Sequence, residues 1–481
     1  MKARSTEPLA VRLAVCFAAA FAIYYYVLHE LLGLLAVDEI YFAHVFWLMR
    51  QGQALYTDFY ANHLPAYFYM LGPLLPGEGP TDLTFVWVLR VTSLLAACAY
   101  FALLWSLSRR DFLYLLPFLF LFIVLGRMSE IRPDTVGLLL VNAGWWLLLK
   151  ETSRRNILIA AALTALALAF SARAAVVAVG MGLLLAWLCR QRKDWRTLKM
   201  LIAAAVFFAV AVVALYALHA GFQLMVRLVY LDPLTVMPHV PLWQRLLPID
   251  RLLMVALIVI ALIAASIRRH PVILFACGTQ LLLILLDPSP YQYVYGWAAI
   301  PTLAGIALLG DRSRPLLAFA SASLAALAIV LSVTGPTPRP GSMLRLTLDQ
   351  KFEEGELASA STAELMRLST TSQRQQGLWN QLALYGEICR RIPGPVLTKF
   401  YANIICQKDS LYDWAGLQWP PIFEDDTSTA SRAEFEQLFE SNPPALVAWG
   451  KQHYTPRLNP WGRALLADYD IHEGYALKRQ R

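Results

Sequence analysis

Asp38 and Glu39 stand side by side in VDEIYFAHVFWLMRQG (37–52), directly after a long apolar run. A carboxylate is costly in hydrocarbon and cheap at its surface, so the pair marks a membrane interface or a polar cavity. There it either caps a helix end in water or does chemistry. Downstream, QGQALYTDFYANHLPAYFYMLGPLL (51–75) sets Asp58, Asn62, His63 and Pro65 among aromatic residues. A plain spacer needs no such mixture of acid, imidazole and rings. His63 could contact a phosphate or fix Asp58. Asp38, Asp58 and His63 are the one cluster from which ligands of a divalent metal could be drawn. Such a site needs more oxygen or imidazole ligands than these three, so a metal is left unassigned.

The elements that must position these residues are membrane helices. Of 481 residues, 58% are hydrophobic and 15% charged, where a soluble protein carries about 25% charged residues. Runs such as ILIAAALTALALAF (157–170) are far longer than barrel strands of about 10 alternating residues. About eleven spans are expected, near 11–36, 84–108, 112–126, 134–149, 156–171, 174–189, 199–219, 250–267, 271–286, 293–310 and 315–333. Basic residues precede the first apolar run, as in a signal peptide. The run is long and lacks a convincing small-residue cleavage site, so a retained helix is expected.

Two kinds of connection alternate between the spans. Arg109–Arg110, KETSRR (150–155), RQRKDWRTLK (190–199), Arg268–Arg269 and DRSR (311–314) are short and basic. With Lys2, Arg4 and Arg12 they mark the cytoplasmic side of a bacterial inner membrane by the positive-inside rule. The N-terminus is then inside and the tail outside, in the periplasm. The net charge of +8 is mainly an orientation signal, and nucleic-acid binding is not expected. Two outer connections are long, about 37–83 and 220–249. Both are too apolar for solvated loops, so amphipathic interfacial helices are expected in each.

The transmembrane part thus covers 1–334. After GPTPRPG (335–341) the composition turns polar, and a small α/β extracytoplasmic domain is expected over 335–481. RLTLDQKFEEGELASASTAELMRLSTTSQRQQGLWNQLALYG reads helical. PGPVLTKFYA and PPALVAWG read as short buried strands opened by prolines. EFEQLFESNPPALVAWG and RALLADYDIHEGYALKR each read as helix, turn and strand. Cys16, Cys98, Cys189 and Cys277 lie in or beside apolar segments. Cys389 and Cys406 lie in the tail and could pair in an oxidising compartment. None has metal-ligand spacing.

Several charged residues on the outer side go against the orientation rule: Arg127, Arg132, Arg173, Arg227 and Arg245. Arg173, in AFSARAAVV (169–177), sits in a very short turn among apolar neighbours and is the most suggestive. Snorkelling to headgroups is the plain alternative for each. Asp134 follows Arg132 closely, and a surface contact between the two is the plain alternative there. Tyr291, Tyr293 and Tyr295 alternate in PYQYVYGW and suit either an interfacial aromatic belt or the wall of a site.

Three stretches, in this order, carry a resemblance. The DE pair with its helix ending at a glycine, then LYTDFY and His-x-Pro, resembles the first outer loop of GT-C-type glycosyltransferases. GRMSEIRPDTVGLLL (126–140) resembles their second outer loop, and DPSPYQYVYGWAAIPTLAGIALL (287–309) their late tyrosine-rich helix. The likeness spans about 330 residues of the membrane part. It is nearest to the bacterial members that use polyprenyl-phosphate sugars, the group holding the lipid A aminoarabinose transferase and the protein O-mannosyltransferases.

The resemblance implies inverting transfer of a sugar from a lipid phosphate to an acceptor hydroxyl on the outer side. Asp38 matches the family's catalytic acid and takes the role of base, with Glu39 positioning the acceptor or holding the loop. Asp134 matches the second outer acid and orients sugar or acceptor, or shapes the cavity with Arg132. The leaving phosphate needs cations, and the planar fork of an arginine such as Arg173 or Arg227 suits it. Tyr291 and Tyr293 would wall the sugar or lipid. Asn62-His63-Leu64-Pro65 stands where the aminoarabinose transferases have an acid and a lysine directly before proline. Partners are then the polyprenyl-phosphate sugar, membrane lipids, and a lipid, glycan or protein acceptor. The tail shows no nucleophile triad, phosphate loop or zinc pattern, and reads as an acceptor-binding or stabilising lid. The alternative is a transporter or flippase of lipid-linked sugars, which predicts mid-membrane charges and pseudo-repeated halves. Neither is found in the sequence. A membrane-anchored binding protein would need only one or two spans.

Overall fold

The computed structural model describes residues 13, 15–20, 23, 37–59, 61, 63–74, 84–108, 112–125, 132–231, 241–246, 249–286, 296–297, 299–310, 313–334, 361, 364, 387–398, 422, 432–448, 458–472 and 475–479. These residues are mostly helical and end in a small sheet. The helices are α1 (Val37–Arg50), α2 (Ala66–Leu71), α3 (Thr84–Leu107), α4 (Phe112–Leu125), α5 (Pro133–Lys150), α6 (Arg154–Ala167), α7 (Ala174–Gln191), α8 (Trp195–Leu218), α9 (Ala220–Val226), α10 (Leu242–Leu246), α11 (Ile249–Ile267), α12 (Pro271–Leu286), α13 (Ala299–Ala307) and α14 (Ser313–Thr334). The tail adds β1 (Val396–Thr398), α15 (Arg432–Ser441), β2 (Leu446–Ala448), α16 (Pro460–Leu465), β3 (Tyr469–His472) and β4 (Tyr475–Lys478).

The chain divides into two compact units. Met1–Leu31, Arg90–Ala220 and Tyr230–Thr337 form the first. Leu32–Leu89, Gly221–Val229 and Pro338–Arg481 form the second. Both long connections therefore contribute to the same unit as the tail.

The first unit is a helical bundle whose core holds Trp145, Leu184, Ile258, Trp297 and Ile300, all fully buried. Local signals set its turns. Ser153 caps α6 by accepting from the Asn156 N–H, and Asp194 caps α8 by accepting from the Thr197 N–H at 3.0 Å. Pro133 opens α5, where a missing N–H costs nothing. Small residues let helices close up. A Cβ on Gly180 of α7 would lie 2.0 Å from Thr279 Oγ1 of α12, and one on Gly305 of α13 would lie 2.5 Å from Ala261 Cβ of α11.

The basic connections gather in pairs. Arg192, after α7, donates to both the carbonyl and the hydroxyl of Thr152, before α6. The Tyr114 hydroxyl at the start of α4 lies 2.9 Å from Ser313 Oγ at the start of α14. Among the described residues, 3 helices are long and apolar enough to cross a membrane: Val88–Leu107, Ala174–Gln191 and Trp195–Leu218. Shorter apolar helices run over Ala220–Leu231, Arg251–Ile267, Pro271–Leu286 and Ser313–Leu327. Among the described residues of the span expected at 293–310 lies the 9-residue α13, whose Pro301 sits in its first turn. Proline is tolerated there and would break the helix any deeper.

In the second unit, α1 and α2 fall within the connection at about 37–83 where interfacial helices are expected. Every residue from Tyr41 to Leu48 is buried. The cause is aromatic packing: Phe46 meets Phe68 of α2 at 5.3 Å and Phe42 meets it at 6.0 Å. The tail holds a four-stranded sheet of order β1-β2-β4-β3. β1 and β2 are parallel, with α15 lying between them in sequence, and β2–β4–β3 are antiparallel. Phe435 and Phe439 of α15 join Leu397, Val447 and Ala476 in its core. The strands expected in PGPVLTKFYA and PPALVAWG are present. RALLADYDIHEGYALKR forms a helix and two strands rather than one, and Tyr469–His472 pairs antiparallel with Tyr475–Lys478. The helix expected over RLTLDQKFEEGELASASTAELMRLSTTSQRQQGLWNQLALYG lies almost wholly outside the described residues. Cys389 is disulfide-bonded, while Cys16, Cys98, Cys189 and Cys277 are free. Cys406 lies outside the described residues.

Candidate functional site

The opening acids are the second and third residues of α1, so both sit in its first turn. A helix N-terminus favours negative charge at that place. Glu39 is buried, and the side chain of Asp38 lies outside the described residues. One turn on, His44 is buried and stacked on Trp47 at 5.8 Å. Burial pushes its imidazole down to about 3, which keeps it neutral.

The turn after α1 is built by Asp58. Its carboxylate accepts from the Ala54 N–H at 2.7 Å, and its own N–H donates to the Ala54 carbonyl at 2.9 Å. Gly52 and Tyr56 take left-handed backbone angles, φ 83 and 64, which the tight reversal requires. The Tyr56 hydroxyl then donates to the His63 carbonyl and ties the loop to its end. The His63 ring sits edge-on to Phe42 at 4.9 Å and near Tyr41 at 6.0 Å. Asp58 therefore fastens the loop, a role that sequence alone did not assign it. His63 is placed by aromatic rings of α1. Among the described residues, no three His, Cys, Asp or Glu side chains gather in a way that could hold a metal.

The first unit holds a second polar group. Asp134, in the first turn of α5, is buried. Its Oδ2 lies 3.5 Å from Arg173 Nη1, and its Oδ1 accepts from the Ser171 hydroxyl. Ser171 Oγ also accepts from the Arg173 N–H at 3.3 Å. One serine thus holds both the carboxylate and the backbone of the arginine that pairs with it. Gly137 makes room, since a Cβ there would come within 3.1 Å of Ser171 Cβ. Arg132 is the N-cap of α5 and is buried. An Asp134 ion pair runs to Arg173, across the starts of α5 and α7. One guanidinium and one carboxylate therefore meet near two helix N-termini, where the dipoles add positive potential. Such a place can orient an anion.

Arg227 is exposed and begins a short π-helical turn, Arg227–Leu231, after α9. Tyr291 and Tyr293 lie outside the described residues. Ser171, His44, Arg90 and Arg251 were not singled out by sequence, yet all four are buried polar residues. Arg90 and Arg251 carried a usable signal, an arginine inside or beside an apolar window. Ser171 carried none until its neighbour was known. No family model matches the chain, and no curated protein or solved structure matches it.

Proposed function

We propose that the chain is an inverting membrane glycosyltransferase that moves a sugar from a polyprenyl-phosphate donor to a hydroxyl of a lipid, glycan or protein acceptor. Asp38 is the base. It takes the proton of the acceptor hydroxyl as that oxygen bonds to the anomeric carbon. The bond from that carbon to the phosphate oxygen breaks, and the lipid phosphate leaves with the electron pair on the opposite face. Glu39 and the loop ordered by Asp58 and His63 position the acceptor. Arginine receives the phosphate; Arg132, Arg173 and Arg227 are the candidates, and Arg173 is held by Asp134 and Ser171.

The observation that supports this is the buried Asp134–Arg173 pair, braced by Ser171 at the starts of two helices, a place that suits an anion. The disulfide at Cys389 fits a tail in an oxidising compartment, the periplasm.

The test uses a host lacking the protein, restored with wild type or Asp38→Asn at equal membrane levels. Mass spectrometry follows polyprenyl-phosphate sugars, lipid A and surface glycans. Wild type alone should place a sugar on an acceptor, with the variant slower by about 100-fold or more. Equal glycans in both strains overturn the assignment of Asp38. Uptake of a lipid-linked sugar with no covalent product would favour a transporter or flippase.

A further inference from the structure

The middle of the first unit carries polar side chains that the Asp134–Arg173 pair does not use. Asn142 is the tenth residue of the 18-residue α5, and Gln280 the tenth of the 16-residue α12. Both are fully buried, as are Trp145, one turn after Asn142, and Thr302 of α13. Asn142 Nδ2 donates to the Leu138 carbonyl at 2.9 Å. Asn142 Oδ1, Trp145 Nε1 and both amide atoms of Gln280 have no hydrogen-bond partner among the described residues. Polar atoms in an apolar bundle are costly unless something pairs with them.

Close glycine contacts put these groups at one level. A Cβ on Gly144 of α5 would lie 3.4 Å from Met181 Cε of α7. Gly180, beside Met181, abuts Thr279 of α12, which is the neighbour of Gln280. Helices α5 and α12 pack on each other directly, and α13 packs on both. Thr302 adds a hydroxyl beside the Cys277 thiol, one turn before Gln280. Asn142 lies eight residues along α5 from Asp134, about 12 Å, so the group stands apart from the ion pair.

The chemistry of the four atoms selects the occupant. Two are carbonyl oxygens, which accept, and two belong to N–H groups, which donate. The N–H groups repel a cation and the oxygens repel an anion. The ligand is therefore neutral and both donates and accepts. Full burial of all three side chains excludes a solute as large as a sugar. Water meets these demands, since one molecule pairs with two to four such groups. We propose that Asn142, Trp145 and Gln280 bind internal water that joins α5 to α12 in the middle of the bundle. This site is independent of the glycosyltransferase function proposed above.

The test is radiolytic hydroxyl-radical footprinting of the full-length protein in nanodiscs, read by mass spectrometry and corrected for the intrinsic reactivity of each side chain. Radicals made from bound water oxidise the side chains beside it, whatever their exposure to bulk solvent. Trp145 and Met181 should be oxidised although they are 0% and 1% exposed. Phe118 of α4, also 0% exposed, should not be. Gln280→Leu and Asn142→Leu should each lower the oxidation of Trp145 by about ten-fold, because each removes a partner of the water. Absence of oxidation at Trp145 and Met181 in wild type would overturn the proposal, and that result needs no variant to fold. Undiminished oxidation of Trp145 in both leucine variants would overturn it as well. So would oxidation of Phe118 to the same degree, since water would then reach the whole core rather than one site.

Discussion

Arg173 Nη1 and Asp134 Oδ2 lie 3.5 Å apart, with the two side chains 19% and 8% exposed. The pair joins the start of α7 to the start of α5, and Ser171 braces both members. A carboxylate this buried is tolerable only while its partner stays charged and in place. Removing one partner leaves a buried charge and is far costlier than removing both.

Asp134→Ala should therefore destabilise the protein by about 3 kcal/mol. The Asp134→Ala, Arg173→Ala double variant should lose less than the sum of the two single losses, with a coupling of about 1–3 kcal/mol. Unfolding midpoints in mild detergent, followed by tryptophan fluorescence, measure the cycle. Strict additivity would mean that the two side chains do not hold one another. Sugar transfer adds a second readout. Arg173→Lys keeps the charge but loses the fork, and should raise the donor KM more than it lowers kcat.

His44 supplies a pH dependence. Burial holds its imidazole at about 3 in the fold, below the ordinary value of 6.5. Between those values the unfolded chain binds a proton that the folded chain refuses. Stability is thus full above pH 6.5 and falls as pH drops towards 3, by about 1.4 kcal/mol per unit. At pH 5 the loss from this residue should be about 2 kcal/mol. His44→Phe keeps an aromatic ring beside Trp47 and removes the titration. Its unfolding midpoint should fall less between pH 7.5 and 5 than that of wild type. Parallel curves for the two proteins would show that His44 is not the group responsible.

Much of the bundle was legible because long apolar runs and basic turns are properties of contiguous sequence. The helices α3, α7, α8, α11, α12 and α14 fall where those runs were read, and the strands of Pro395–Ala448 follow their prolines. The polar contacts were not legible. Ser171 and Asp134 are 37 residues apart, and no local pattern says that two helix starts meet. The turn-closing contact of Asp58 was not legible either, since a carboxylate that accepts from the N–H four residues before it has the same identity as one that binds substrate. The burial of Tyr41–Leu48 in α1 rests on Phe42 and Phe46 meeting Phe68 of α2, a contact that no contiguous stretch displays.

Glycine packing in the bundle gives a graded prediction. A methyl at Gly305 would sit 2.5 Å from Ala261 Cβ and 2.9 Å from its Cα, so the backbone of α11 must move. Gly305→Ala should cost about 1–3 kcal/mol. Gly278→Ala meets nothing and replaces a poor helix former with the best one, so it should be neutral or stabilising by up to about 1 kcal/mol. Melting curves of the two variants test the order. If Gly305→Ala were as stable as Gly278→Ala, α11 and α13 would not pack as closely as described.

Orientation in the membrane follows from two exposed glutamines. Gln51 directly follows the acid-bearing helix in the second unit, and Gln191 ends α7 beside the basic turn in the first. Either can become cysteine with no change of charge, so the positive-inside signal itself is untouched. The exposed native thiols, Cys16 and Cys98, are first replaced by serine, and that background must take no label. A membrane-impermeant maleimide added to spheroplasts should then react with Gln51→Cys and leave Gln191→Cys untouched until the membrane is opened. The reverse pattern would put the acids in the cytoplasm, where nucleotide sugars are made, and would remove the reason for a lipid-linked donor. Labelling of both before lysis would mean that α7 does not separate the two sides. Only the first outcome leaves Asp38 and the tail on the face where a polyprenyl-phosphate sugar is the available donor.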